Sequence, residues 1–238
     1  MREAALNAKV HVSRIALDQN DLLVWQLADS AFPAGGFAHS GGLEAAAQHG
    51  EITNRSELVH FIKNALQQVG HGSVPFLSGA HKSPGDFGVI SQHFETFTSN
   101  HVANRASRLQ GRAFLASSVR IFPAEALKYF QSKVNEQNFP MHFAPIFGTI
   151  LSLLHVAREA ACRIFLFIHL RGFVSSAVRL GLVGPLEGQG IQYQLTGCLE
   201  AIFAECINVD YKAAAQTNPL SEIWQANQDR LYSRLFQS

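Results

Sequence analysis

Ser40 stands directly after His39 inside a segment, residues 32–44, where four of thirteen positions are glycine: Gly35, Gly36, Gly41 and Gly42. A serine beside a histidine raises the chemistry of acyl transfer. That chemistry requires Gly-x-Ser-x-Gly on a sharp strand-to-helix turn. Here Ala38 occupies the first glycine position and no strand-like run precedes it, so a hydrolase using Ser40 activated by His39 is a rival reading only. A phosphate cradle of the Walker type is excluded, since it requires a lysine after the second glycine and segment 32–44 has none. Eleven histidines suggest metal: His11, His39, His49, His60, His71, His81, His93, His101, His142, His155 and His169. None forms His-x-His or the His-Glu-x-x-His pair of a helical zinc site, which leaves a resident metal unsupported and a histidine-built metal carrier as a second rival.

Arg105, Arg108 and Arg112 recur at i, i+3 and i+7, so a helix carries all three guanidiniums on one face. Such a face suits carboxylate or phosphate recognition, or it is a solvated face paired with acidic neighbours. Gly111 inside the same helix costs about 1 kcal/mol relative to alanine, and a close helix crossing is the physical reason to keep it. Arg179 closes a very apolar run, where a cation complements the helix dipole. Glu187 and Gln189 follow on a glycine-rich turn, residues 181–190, that returns polar groups to the bundle. Arg179 and Glu187 are then either a buried pair or part of a contact surface.

The elements that must position these groups are helical throughout. A short apolar helix begins near Asp21 and ends at segment 32–44, where Pro33 extends Phe32 and Gly35-Gly36 permits angles closed to other residues. Asn54 and Glu57 have the spacing of a capping box, followed by Leu58, Phe61, Ile62, Ala65, Leu66 and Val69 on one helical face. Pro75 reads as the start of a further short helix. Residues 86–120 read as two helices meeting near Asn100, and Pro123 precedes another. Residues 157–182 are apolar nearly all round, as the centre of a bundle is, and a helix over about 192–208 follows the glycine-rich turn. Period-two alternation is missing. The fold class is all-α, a single-domain helical bundle of about ten helices, with 1–19 poorly ordered, 20–215 the domain and 216–238 a tail.

Of 238 residues, 47% are hydrophobic and only 16% charged, too few charges to cover the surface, so other subunits are expected to cover part of it. A net charge of +1 gives no electrostatic case for nucleic acid or an anionic membrane. Cys162, Cys198 and Cys206 lack Cys-x-x-Cys spacing, and apolar runs near the start are interrupted by Asn7, Lys9, His11 and Arg14. A reduced, cytoplasmic compartment is expected. In the tail, Asn218-Pro219 breaks any helix continuing from Cys206. Leu220, Ile223, Trp224, Leu231, Leu235 and Phe236 are then apolar with no core sequence left to cover them. The tail docks on its own bundle or is held by another chain.

Four ordered blocks resemble the urease accessory protein F (UreF) family. The first runs through Leu22, Gln26, Leu27, Asp29, Ser30, Pro33, Gly35, Gly36, Phe37, Ser40, Gly42, Leu43 and Glu44. The second is Arg105, Arg108, Gln110, Gly111 and Arg112. The third is 175–189 with Phe143, Pro145, Phe147 and Gly148 upstream, and the last is Asp229, Arg230, Leu231, Tyr232, Ser233, Arg234, Leu235, Phe236, Gln237 and Ser238. Gln228 and Gln237 depart from the histidine and arginine usual there. The form of the first and last blocks looks closest to eukaryotic members.

The resemblance implies an all-α, usually dimeric scaffold without catalysis or a cofactor of its own. It bridges accessory protein D (also called H) and the GTPase accessory protein G on the way to apo-urease, and nickel passes through the complex transiently. The implied partner-binding residues are Gly35, Gly36, Phe37, His39, Ser40, Glu44, Arg105, Arg108, Arg112, Arg179, Glu187, Gln189, Arg230, Tyr232, Arg234, Leu235 and Phe236. It also favours a tail ordered only on accessory protein D. Removing 230–238 would then leave the melting temperature nearly unchanged while abolishing capture of that partner.

Overall fold

A computed structural model describes residues 19–238; the expectation for the first eighteen residues lies outside the described residues. In chain order the helices are α1 (Gln19–Ala28), α2 (Leu43–Gln48), α3 (Arg55–Lys82), α4 (Phe87–Phe97), α5 (His101–Ile121), α6 (Glu125–Glu136), α7 (Phe143–Leu153), α8 (Arg158–Arg179), α9 (Pro185–Gln194), α10 (Thr196–Cys206) and α11 (Pro219–Asn227). No strand occurs among the described residues, and the chain is a single helical domain.

The helix starts are chemically specified. The Asn54 side chain accepts the Glu57 N–H at 3.0 Å, and the Glu57 carboxylate reaches back to the Thr53 N–H at 2.7 Å. Asn100 accepts the N–H groups of Val102 and Ala103, ending the α4–α5 break at the expected place.

Two expectations require correction. Pro75 does not start a helix: α3 runs through it from Arg55 to Lys82. A proline inside a helix strips the carbonyl four residues back of its partner; that carbonyl, on His71, accepts the Ala215 N–H at 3.1 Å instead. Nor is 181–190 a turn throughout. After the left-handed Gly181, Pro185 occupies the first position of α9, where its fixed φ suits a helix start. Gly188 then lets α9 approach α8, since a Cβ there would lie 3.0 Å from Val178 and 3.1 Å from Val174.

The core is centred on α3, α7 and α8. Gly148 brings α7 against α3, where a Cβ would fall 2.2 Å from the Leu77 carbonyl oxygen. Gly111 does the same for α5, with the Met141 oxygen 2.0 Å from a notional Cβ, which is the close crossing expected from its place in the sequence. By length and composition α8 is apolar enough to span a membrane. Here Ile164, Phe165, Leu166, Leu170, Phe173 and Val174 are buried within the bundle. Cys162 and Cys206 are also buried, which pushes their thiols up to about 12 and about 11 and leaves them inert.

Candidate partner-binding surface

The tail closes over segment 32–44. Glu44 opens α2, 1% exposed, and its carboxylate accepts three hydrogen bonds from the tail: Leu235 N–H at 2.6 Å, Phe236 N–H at 3.1 Å and Gln228 Nε2 at 2.6 Å. A buried carboxylate with no cation beside it is tolerable only when its lone pairs are filled in this way. The fully buried Gln228 also donates to the Phe236 carbonyl, while its own Oε1 has no partner. Ser40 is buried as well, its N–H donating to the Ser238 carbonyl and its Oγ lying 3.4 Å from the Glu44 N–H.

Two expectations change as a result. The tail, expected to be mobile or held by another chain, folds onto its own bundle. Glu44 and Ser40, expected at a partner surface, lie beneath the tail rather than facing outward. The cause is the same for both: the apolar Phe236, 3% exposed, and the filled carboxylate give the tail an intramolecular dock.

Backbone freedom is needed at Gly35, at φ +74°, and not at Gly36, whose angle is ordinary. This left-handed turn carries Phe37, 69% exposed. Arg179 lies over the Phe37 ring at 3.9 Å and over the Phe236 ring at 4.2 Å, and donates to the Phe37 carbonyl at 2.6 Å. Of the two readings of Arg179 and Glu187, the buried pair does not form. Glu187 sits on the exposed face of α9 and meets Arg55 at 3.5 Å, because the helical run from Pro185 turns it away. Gln189 is exposed on the same helix. His39 bonds through Nδ1 to the Ser238 hydroxyl rather than to Ser40, and burial, with Arg105 assisting, pulls it down to about 4. A cleft of about 790 Å³ opens beside this seam, lined by Phe37, His39, Phe173, Arg179, Gln225 and Ser238 among others. Tyr232 and Leu235 point outward, as do Arg230 and Arg234.

The arginine face of α5 is divided. Arg105 grips Asp229 of the tail through two bonds, at 3.0 and 2.8 Å, and Arg234 joins the same carboxylate at 3.1 Å. These bonds hold Asp229 below the usual carboxylate range. Arg108 reaches Glu95 at 3.4 Å, and Arg112 makes no such bond among the described residues. Glu95 also accepts from Nε2 of the fully buried His142 at 2.6 Å, and His142 Nδ1 lies 3.2 Å from Ser107 Oγ. Burial lowers the His142 pKa and outweighs the pull of Glu95 in the other direction. The contacts made by Glu95, Asp229, His142, Gln228 and Ser238 all escape sequence reading. Their partners lie from 5 to 199 positions away, and no local spacing marks such pairs. No group of three histidine, cysteine or carboxylate side chains is placed to hold a metal ion among the described residues.

The UreF family model matches residues 52–196. Urease accessory protein F of Oryza sativa subsp. indica is 35% identical over 216 residues, covering 89% of this chain and 83% of the relative. Its namesake in Arabidopsis thaliana is 34% identical over the same length, with 89% and 90% covered. An uncharacterized urease accessory protein UreF-like chain of Schizosaccharomyces pombe is 26% identical over 222 residues, with 89% and 94% covered.

Proposed function

The chain belongs to the urease accessory protein F family, and from that premise we propose that it is the adaptor of urease maturation. Family membership supports the role in maturation itself. In the finer reading the chain is non-enzymatic, cytoplasmic and homodimeric. It joins accessory protein D (H) to the GTPase accessory protein G, and the assembly carries nickel, as cargo, to apo-urease while GTP is hydrolysed by the partner.

The observation that supports this reading best is the seam between tail and glycine loop. It gathers Phe37, Tyr232 and Leu235 as exposed apolar groups with Arg179, Arg230 and Arg234 around them. Aromatic and arginine side chains together are the composition of binding hot spots. The low charge of the whole chain points the same way.

Co-elution of the purified chain with accessory proteins D and G, with and without GTP, tests the reading. Restoration of urease activity in a host lacking its own family member completes the test. Failure of both would overturn it. The hydrolase rival meets a buried Ser40 whose neighbouring imidazole is turned to Ser238; stoichiometric labelling of Ser40 by a fluorophosphonate would revive it. Equilibrium dialysis showing one tight nickel site per protomer would favour the carrier rival.

A further inference from the structure

We infer that the polar cleft on the outer face of α5 is a receptor for a carboxylate-bearing segment of a partner protein, with Arg108 and Arg112 as its anchoring residues. The cleft, about 650 Å³, is lined by Glu95, His101, Asn104, Arg105, Arg108, Leu109 and Arg112 among others. It shares Thr98 alone with the 790 Å³ cleft beside the glycine-loop seam.

Three features carry the inference. First, the stripe is only partly neutralised by the protein's own acids. Arg105 and Arg234 share Asp229, Arg108 has one long contact to Glu95, and Arg112 has no acceptor among the described residues. Second, the Arg108 side chain is 38% exposed yet makes one bond only, at 3.4 Å to Glu95, among the described residues, so the outer donors of its guanidinium are left for an incoming oxygen. Third, the stripe shows which chemistry fits it. Asp229, arriving from the tail, takes Arg105 in a two-bond fork, the geometry in which a planar guanidinium meets a planar carboxylate. Arg112 lies seven residues further along the same face and offers a second such fork. Leu109, 43% exposed between them, provides an apolar contact that a free anion would not use. Acidic residues flanking an apolar one on a partner segment match this arrangement in charge and in order.

The inference rests on the adaptor reading, so its test separates the two. The probe is a fluorescein-labelled eight-residue peptide alternating glutamate and leucine, followed by anisotropy at low ionic strength against the full chain. Wild-type protein is expected to bind it, and the Arg108→Gln/Arg112→Gln double variant to bind about tenfold or more weakly. Arg120→Gln, an exposed arginine of α5 outside the cleft, is expected to bind as wild type does. Unchanged melting of each variant verifies the fold. Equal binding by the double variant overturns the inference, as does an absence of binding by wild type. Displacement of the peptide by inorganic phosphate at matched ionic strength, beyond that caused by chloride, also overturns it by showing a general oxyanion site. Urease rescue is scored in parallel. If wild type fails to rescue, the adaptor reading fails whatever the peptide does; if the double variant loses the peptide yet wild type rescues, both stand.

Discussion

Replacing Glu44 with alanine removes the acceptor for the Leu235 and Phe236 amides and the Gln228 side chain. Hydrogen bonds to a charged group contribute about 1.5–3 kcal/mol each, so three of them bound the gross loss at about 5–9 kcal/mol. The realised loss is smaller. The tail can let go, after which its donors bond to water, and the carboxylate's own desolvation is relieved with its removal. What is then lost is the docking of the tail, including burial of Phe236, about 2–3 kcal/mol for a full aromatic side chain. A fall of about 2–4 kcal/mol in the free energy of tail opening is expected. Native-state hydrogen exchange reads this directly, because opening free energy sets the exchange of protected amides. The amides of residues 235 and 236 should exchange about thirty- to several-hundred-fold faster in Glu44→Ala, while α8 amides keep their rates. Removal of 230–238 should likewise lower the melting temperature, the reverse of what a free tail predicts. If Glu44→Ala leaves the rates at 235 and 236 within about threefold of wild type, the carboxylate does not hold the tail.

Four further outcomes follow from the same contacts. Gly35→Val forces a side chain into φ +74° and should cost about 1–3 kcal/mol, whereas Gly36→Val carries no such strain; equal urea midpoints for the two would refute the assignment of the turn. Arg179→Ala should lose about 1–2 kcal/mol from its stacking on Phe37 and Phe236, and Arg179→Lys should not restore it. Glu187→Ala, breaking only an exposed pair with Arg55, should change stability by less than about 1 kcal/mol, and a matched loss in both variants would revive the buried pair. For His39, the folded pKa of about 4 lies below the ordinary 6.5, so the unfolded state binds the proton first as pH falls. Its contribution is therefore complete above pH 6.5 and is lost between there and about pH 4, by up to about 3 kcal/mol. Urea unfolding of wild type and His39→Gln across that window should converge toward acid, and parallel curves would contradict it.

What the amino-acid sequence determined by itself was local. The capping group at Asn54, the apolar face from Leu58 to Val69, the break near residue 100 and the all-α class arise from neighbours within a few positions. The place of Gly111 also announced a close crossing, since only contact from another element repays a glycine inside a helix. The tertiary structure decided everything that depended on distant partners. Pro75 reads as a boundary until Ala215 arrives to take the carbonyl it frees. The glycines of 181–190 read as a turn until Gly188 proves to be where α9 meets α8. Arg179 and Glu187 are close in sequence yet part company, because α9 aims one outward while aromatic rings hold the other. The fate of the tail turned on Glu44, whose carboxylate is 191 positions from the amide of Leu235. Spacing rules describe which groups share a face of one helix. Which buried charge is filled, and by what, is set only when the whole bundle has closed.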